Sequence, residues 1–184
     1  MRVLMDKVVF ICGSGDETGV SHSVCRRLSC LLESRNIFAE VFEPNSMDIR
    51  HCTGCEECID SACPIDDDMQ VIFDSVSDVD LLVIVSPIHF SGPSSITKTV
   101  MDRFQPFWHN PDLRHPARIA AILCGGSPNP CFTHTESIIK AFAYTVGMEV
   151  VGSHHISDTD SLSMSECLVG VDDFILGLIG DRRA

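Results

Sequence analysis

Between residues 52 and 64 the chain reads CTGCEECIDSACP, so that Cys52, Cys55, Cys58 and Cys63 follow the spacing C-x2-C-x2-C-x4-C, with Pro64 next. Thiolates are soft ligands that suit zinc and iron–sulfur clusters. Three cysteines at x2 spacing can wrap three corners of a cubane, and Cys63 can close the fourth. The ferredoxin run C-x2-C-x2-C-x3-C-P is one residue shorter. Structural zinc more often uses two separated knuckles or histidine partners. The spacing therefore ranks a [4Fe–4S] cluster first, zinc at the same cysteines second and four unligated thiols third. Asp66, Asp67 and Asp68 follow directly. A solvated turn and a helix cap account for such residues. Negative charge beside a cluster would also lower its potential.

Two other segments carry polar atoms in ligand-like patterns. GSGDETGVS (13–21) holds Ser14, Asp16, Thr18, Gly19 and Ser21. Its glycines allow backbone N–H groups to approach a ligand, and its hydroxyls suit a phosphate. Asp16 and Glu17 do not suit one, because carboxylate and phosphate repel. The same residues would also make a plain tight connection. SPIHFSGP (86–93) holds Pro87, Ile88, His89, Phe90 and Ser91. A loop stiffened by two prolines can lie along the polar edge of a flat heterocycle, or simply be a rigid turn. His89 could deliver protons, although a lone histidine is more often just packed or exposed. His154 and His155 have no spaced partner. G-x-S-x-G and H-E-x-x-H are both absent, which leaves hydrolase chemistry without support. The remaining cysteines, Cys12, Cys25, Cys30, Cys124, Cys131 and Cys167, lie in apolar segments and read as small buried hydrophobes.

The elements that must position these residues follow from hydrophobic period. KVVFIC (7–12), IFAEVF (37–42), DLLVIVS (80–86), RIAAILC (118–124) and MEVVGSHHI (148–156) read as strands. Helices are expected after the 13–19 loop, over MQVIFDSVS behind Asp68, over 94–104 started by Ser94, over 133–147 ending at Gly147, and over 166–181. Phe104, Phe107 and Trp108 read as core or subunit contact. Strands alternating with helices imply an α/β three-layer sandwich. The expected fold is flavodoxin-like, with a five-stranded parallel sheet in the order 2-1-3-4-5. Ligands of such sheets bind beyond the carboxyl ends of the strands. That edge carries the loops 13–19, 87–93 and 125–132, and the cysteine segment leaves the second strand there.

The chain has 184 residues, 45% hydrophobic and 21% charged, which suits one domain (1–184) with a cysteine-rich insertion at about 43–68. A net charge of −13 argues against nucleic acid and anionic membranes as partners. No apolar run approaches the roughly 20 residues of a membrane span. The start lacks the pattern of an export signal, so a cytoplasmic location is expected.

Taken together, the glycine loop and the stretch from Cys52 to Arg103 resemble the iron–sulfur flavoproteins of the NADPH-dependent FMN reductase-like group. The likeness extends from KVVFIC to about Gly152. It implies FMN in the crevice, a [4Fe–4S] cluster on the four cysteines, and electron transfer between them. It further implies an oxidoreductase whose partners are NAD(P)H or a redox protein such as ferredoxin, assembled as a homodimer or homotetramer. By position, Ser14, Asp16, Thr18, Gly19 and Ser21 fall on the family's phosphate loop. Pro87, Ile88, His89, Phe90 and Ser91 fall on its isoalloxazine loop, and Gly125 and Gly126 on a second ring-contacting loop. No residue is assigned a catalytic role. Gly15, Asp16 and Val20 stand where the family has Pro, Arg and Asn, and His89 stands where it has Tyr. The Asp16 exchange removes a phosphate donor. The alternatives are an electron carrier with no substrate of its own, and a zinc-stabilised binding protein whose flavin site has decayed.

Overall fold

The computed structural model describes residues 7–180. The start of the chain (1–6), on which the export-signal reading partly rests, and the end of the expected last helix (181) lie outside them.

Six strands form the sheet: β1 (Lys7–Cys12), β2 (Phe38–Phe42), β3 (Leu81–His89), β4 (Gly92–Pro93), β5 (Arg118–Cys124) and β6 (Glu149–Ile156). Five of them run in the order β2-β1-β3-β5-β6, all pairs parallel. This is the expected doubly wound order. The correction is one of count. β3 runs on through Pro87 to His89 and turns back as β4, which pairs antiparallel with it. Residues 87–93 are therefore a hairpin and not a free loop.

Period-two alternation sends successive side chains to opposite faces of the sheet. Val8, Phe10, Cys12, Leu81, Val83, Val85, Ala120, Ile122 and Cys124 face one layer. There they meet α1 (Val20–Glu33) through Val24, Cys25, Leu28 and Leu32, and α7 (Val171–Ile179) through Val171, Ile175 and Ile179. Val9, Ile11, Leu82, Ile84, Ile119, Ala121 and Leu123 face the other layer. That layer comprises α2 (Met69–Val76), α3 (Ser95–Asp102), α4 (Gln105–His109) and α5 (Phe132–Val146). Strands buried on both faces require this near-continuous apolar sequence.

Helix ends follow local chemistry. Ser94 caps α3, its side chain accepting from Thr97 N at 3.1 Å. Gly147 ends α5 in the left-handed conformation, with φ +92°. The expected closing helix is instead two: α6 (Met164–Cys167) and α7, separated by Gly170 at φ +79°. Phe104 and Phe107 are core, stacked with ring centroids 5.0 Å apart, whereas Trp108 is exposed. Cys12, Cys25, Cys124 and Cys167 are buried as expected; Cys30 and Cys131 are exposed, contrary to expectation. No described helix is long and apolar enough to cross a membrane.

Candidate functional site

The loops after β1, β3 and β5 adjoin at the carboxyl edge of the sheet. Gly13 N donates to Val85 O at 2.8 Å, and Pro87 lies in register with Cys124. A knot of buried hydroxyls ties the first two. Ser94 Oγ donates to Gly13 O at 2.5 Å, Thr97 Oγ1 to Ser86 Oγ at 2.9 Å, and Ser86 Oγ to Pro87 O at 2.9 Å. Gly13 is required by this closeness, since a Cβ there would stand 1.8 Å from Thr97 Oγ1. Sequence reasoning did not single out Ser86 and Thr97 as parts of the site. The available signal was small hydroxyl residues bracketing the prolines between a buried strand and a helix.

The β1 loop satisfies much of its own polarity. Asp16 N donates to Ser14 Oγ at 3.1 Å. The Asp16 carboxylate folds back and accepts from both Thr18 N (2.9 Å) and Thr18 Oγ1 (2.7 Å). Those bonds hold its pKa below the ordinary carboxylate value. Asp16 thus takes both Thr18 donors that the sequence offers to a phosphate. Ser21 does not face the loop either. It is buried, and its hydroxyl donates to Cys124 Sγ at 3.6 Å. Buried His22 braces the loop from below, one ring nitrogen 3.2 Å from Ser14 O and the other 3.2 Å from Glu43 Oε1. Gly19 stands at the start of α1, against the Asp16 carboxylate.

At the hairpin, Ile88 pairs with Pro93 and His89 with Gly92, leaving Phe90 and Ser91 as a two-residue turn. Both are left-handed, at φ +51° and +61°. Such a turn normally selects Asn-Gly, and non-glycine residues there carry strain of about 1–3 kcal/mol each. The turn holds the Phe90 ring fully in solvent and exposes His89. Thr135 Oγ1 on α5 pins it by donating to Ser91 O at 3.1 Å. Gly125 and Gly126 adjoin the 156–160 segment. Gly125 N donates to Ile156 O, and both glycine carbonyls accept backbone N–H groups, from Thr159 and Asp160. A Cβ on Gly126 would lie 2.5 Å from Asp160 Oδ2.

The cysteine segment is assembled by different means. Glu56 and Gly54 adopt left-handed backbone, bending the chain between the cysteines. Cys52, Cys55, Cys58 and Cys63 all line one cavity of ≈ 440 Å³, with Arg103, Trp108 and His109 also in its wall. Burial pushes the Cys58 thiol up, and so do the neighbouring sulfurs of Cys63, Cys52 and Cys55, against a backbone hydrogen bond that lowers it. Four cysteine sulfurs gathered on one cavity suit a soft cationic centre. Among the described residues, no three His, Cys, Asp or Glu side chains form a group that could hold a metal ion as they stand.

The aspartates after the motif are clamps. Asp68 Oδ2 accepts from Asp48 N at 2.7 Å, and Arg50 N donates to Asp67 Oδ2 at 2.9 Å. Asp68 occupies the cap position of α2 without capping it; Asp67 Oδ1 takes the Met69 N–H instead, at 3.1 Å. Asp67 is fully buried against the guanidinium of buried Arg103, with contacts of 2.6 and 3.0 Å. Burial works against the Asp67 charge, but hydrogen bonds from Arg103, Arg50 N and Met69 N hold its carboxyl below the ordinary value.

A doubly wound sheet with ligand-type loops at its carboxyl edge and a four-cysteine cavity on one flank is a flavodoxin-like architecture. The sequence comparison agrees. Residues 7–161 match the NADPH-dependent FMN reductase family, and the chain belongs to it. It is therefore an oxidoreductase of an FMN-dependent family. It is similar to an iron–sulfur flavoprotein of Archaeoglobus fulgidus, 26% identical over 168 residues, covering 87% of this chain and 76% of that one. An iron–sulfur flavoprotein of Methanocaldococcus jannaschii is 29% identical over 149 residues, covering 80% and 77%. Among solved structures, the fold is shared with a flavone reductase (TM-score 0.71, 21% identity), covering 91% of this chain but spanning only 59% of that protein. It is shared too with an NAD(P)H:quinone oxidoreductase of Methanothermobacter marburgensis (TM-score 0.69, 14% identity, 97% of each chain).

Proposed function

We propose that this chain binds FMN at the β1, β3 and β5 loops and a [4Fe–4S] cluster on Cys52, Cys55, Cys58 and Cys63, and that it transfers electrons between NAD(P)H or a redox protein and an acceptor through both. The observation that carries this reading is the convergence of the four motif cysteines on one cavity, against α4 and the end of α3, in a chain of the FMN reductase family. When bound, FMN supplies two-electron chemistry that can be divided into single electrons, and the cluster supplies one-electron chemistry.

The residues have distinct tasks. The β3–β4 hairpin presents Ile88, His89 and Phe90 at the ring side of the crevice. The Ser86–Ser94–Thr97 knot fixes the backbone from Gly13 to Pro87, so that the loops are ordered before a ligand arrives. Ser14 and Thr18 hold the phosphate once Asp16 releases Thr18. His89, exposed where the family has Tyr, supplies protons to the ring edge. Two copies of the chain meet around the flavin sites, as the resemblance implies, and a cytoplasmic location fits ten unpaired cysteines.

Metal and sulfide analysis of anaerobically purified protein tests the reading. About four iron and four sulfide per chain are expected. Cys55→Ala should abolish the visible chromophore and Cys167→Ala should leave it. Stoichiometric zinc in protein made under iron-replete, oxygen-free conditions would overturn the cluster assignment. Steady-state turnover of NAD(P)H with a quinone or dye separates an enzyme from a carrier.

A further inference from the structure

Arg103 lies outside the cysteine motif, 40 residues beyond Cys63, at the end of α3. Its side chain is 1% exposed, and it is among the largest fully buried residues of the protein. A guanidinium so placed is costly unless its five donors are met. Nη1 donates to Asp67 Oδ2 at 2.6 Å and to Arg50 O at 2.8 Å. Nη2 donates to Asp67 Oδ1 at 3.0 Å, which completes a two-bond fork and fixes the plane of the group. Two donors remain. The second Nη2 proton is directed at Cys63 Sγ, 3.6 Å away. Nε is buried with no partner, on a residue that lines the cysteine cavity.

Neutralising Asp67 requires only the fork. The surplus donors answer a different need, which the motif itself creates. Cys52, Cys55 and Cys58 are placed by tight local wrapping, but the x4 interval before Cys63 does not fix that sulfur in the same way. An arginine arriving from another element can fix it from outside. We propose that Arg103 is a positioning and tuning residue for the metal centre: it holds the Cys63 sulfur by an N–H···S bond and favours the reduced, more negative state of the cluster. The inference rests on the cluster reading given above. Hydrogen bonds to cluster sulfurs are among the levers that set its potential, and partners that orient a ligand strongly affect metal affinity.

The test is the one-electron midpoint potential, read by EPR during dithionite titration with mediators, in wild type and four variants. Arg103→Gln should shift the reduction equilibrium tenfold toward the oxidised state, which is 59 mV for one electron. Arg103→Lys keeps the charge and should recover part of that shift. Arg103→Gln leaves the buried Asp67 carboxylate without its two-bond fork, which can cost the fold. The paired Arg103→Met, Asp67→Asn variant therefore removes both charges at once and keeps the net charge. It should lower the potential in the same direction. Arg50→Gln removes an exposed charge beside Asp67 without touching Cys63, and should shift the potential least. The Fe–S(Cys) bands in resonance Raman should move in Arg103→Gln and in the paired variant, and not in Arg50→Gln. A folded variant lacking Arg103 that takes up less iron than wild type also supports positioning. Wild-type potential and bands in the Arg103 variants, or an equal shift from Arg50→Gln, would overturn the inference while leaving the cluster reading intact. Wild-type protein without iron and sulfide would overturn both.

Discussion

The crevice at the carboxyl edge and the cysteine cavity on the flank are ordered by opposite means. The crevice is backbone held by backbone. Its loops are short extensions of buried parallel strands, joined by Gly13 N–Val85 O and Gly125 N–Ile156 O and locked by three small hydroxyls. The cysteine segment has almost no regular structure: two single-turn helices, at Pro44–Ser46 and Glu57–Ile59, in 26 residues. It hangs on side chains, above all the buried pair of Asp67 and Arg103. A site fixed by strands depends little on any one charge. A site fixed by a buried ion pair depends on both partners.

The largest effect should come from breaking that pair. Asp67→Ala leaves the Arg103 guanidinium buried and unpaired, and should cost about 3–5 kcal/mol in chemical denaturation. Hydrogen exchange should rise first across residues 48–68 and spare the β1 loop. The same pair gives acid sensitivity. The Asp67 carboxyl is depressed in the folded state, so its stabilisation is present at neutral pH and is lost as pH falls through the carboxylate range. Acid unfolding should therefore be less steep in the Arg103→Met, Asp67→Asn variant than in wild type.

The crevice should break on volume, not charge. Gly13→Ala forces a Cβ onto Thr97 Oγ1 and should cost about 1–3 kcal/mol. Flavin titration should show lost binding while the iron content stays unchanged. Asp16→Asn should have a smaller effect of opposite sign. It removes the anion that takes both Thr18 donors and repels a phosphate. FMN affinity should rise roughly tenfold, about 1.4 kcal/mol, with riboflavin affinity unchanged. Equal gains for the two flavins would show that the phosphate does not sit there. The smallest effect should come from Ser91→Gly, which relieves one left-handed residue and should raise stability by about 0.5–1 kcal/mol in thermal unfolding.

The sheet was legible because KVVFIC, DLLVIVS and RIAAILC are too apolar and β-branched to be anything but buried strands, and their alternation with helices leaves one common topology. The β3–β4 hairpin was not. Its turn uses Phe90 and Ser91, and without Asn-Gly the left-handed pair leaves no local mark. The four cysteines announced themselves by spacing alone. Asp67 and Arg103 did not, because three consecutive aspartates read as a solvated turn and the pairing spans 36 residues. Asp16 stood out as the wrong charge in a phosphate loop. That it would turn inward onto Thr18 is a matter of side-chain rotamer, which spacing does not encode.

The protein contains one tryptophan, and it lies in the wall of the cysteine cavity. Its single tyrosine, Tyr144, is on α5 and almost fully exposed. Excitation at the red edge of the absorption band therefore selects one indole, beside the four sulfurs. An iron–sulfur chromophore absorbs broadly across the indole emission, so filling the cavity should darken Trp108, and chelation should brighten it in step with iron release. On the cluster reading, the molecule carries its own optical gauge of occupancy, readable at low concentration and without a label.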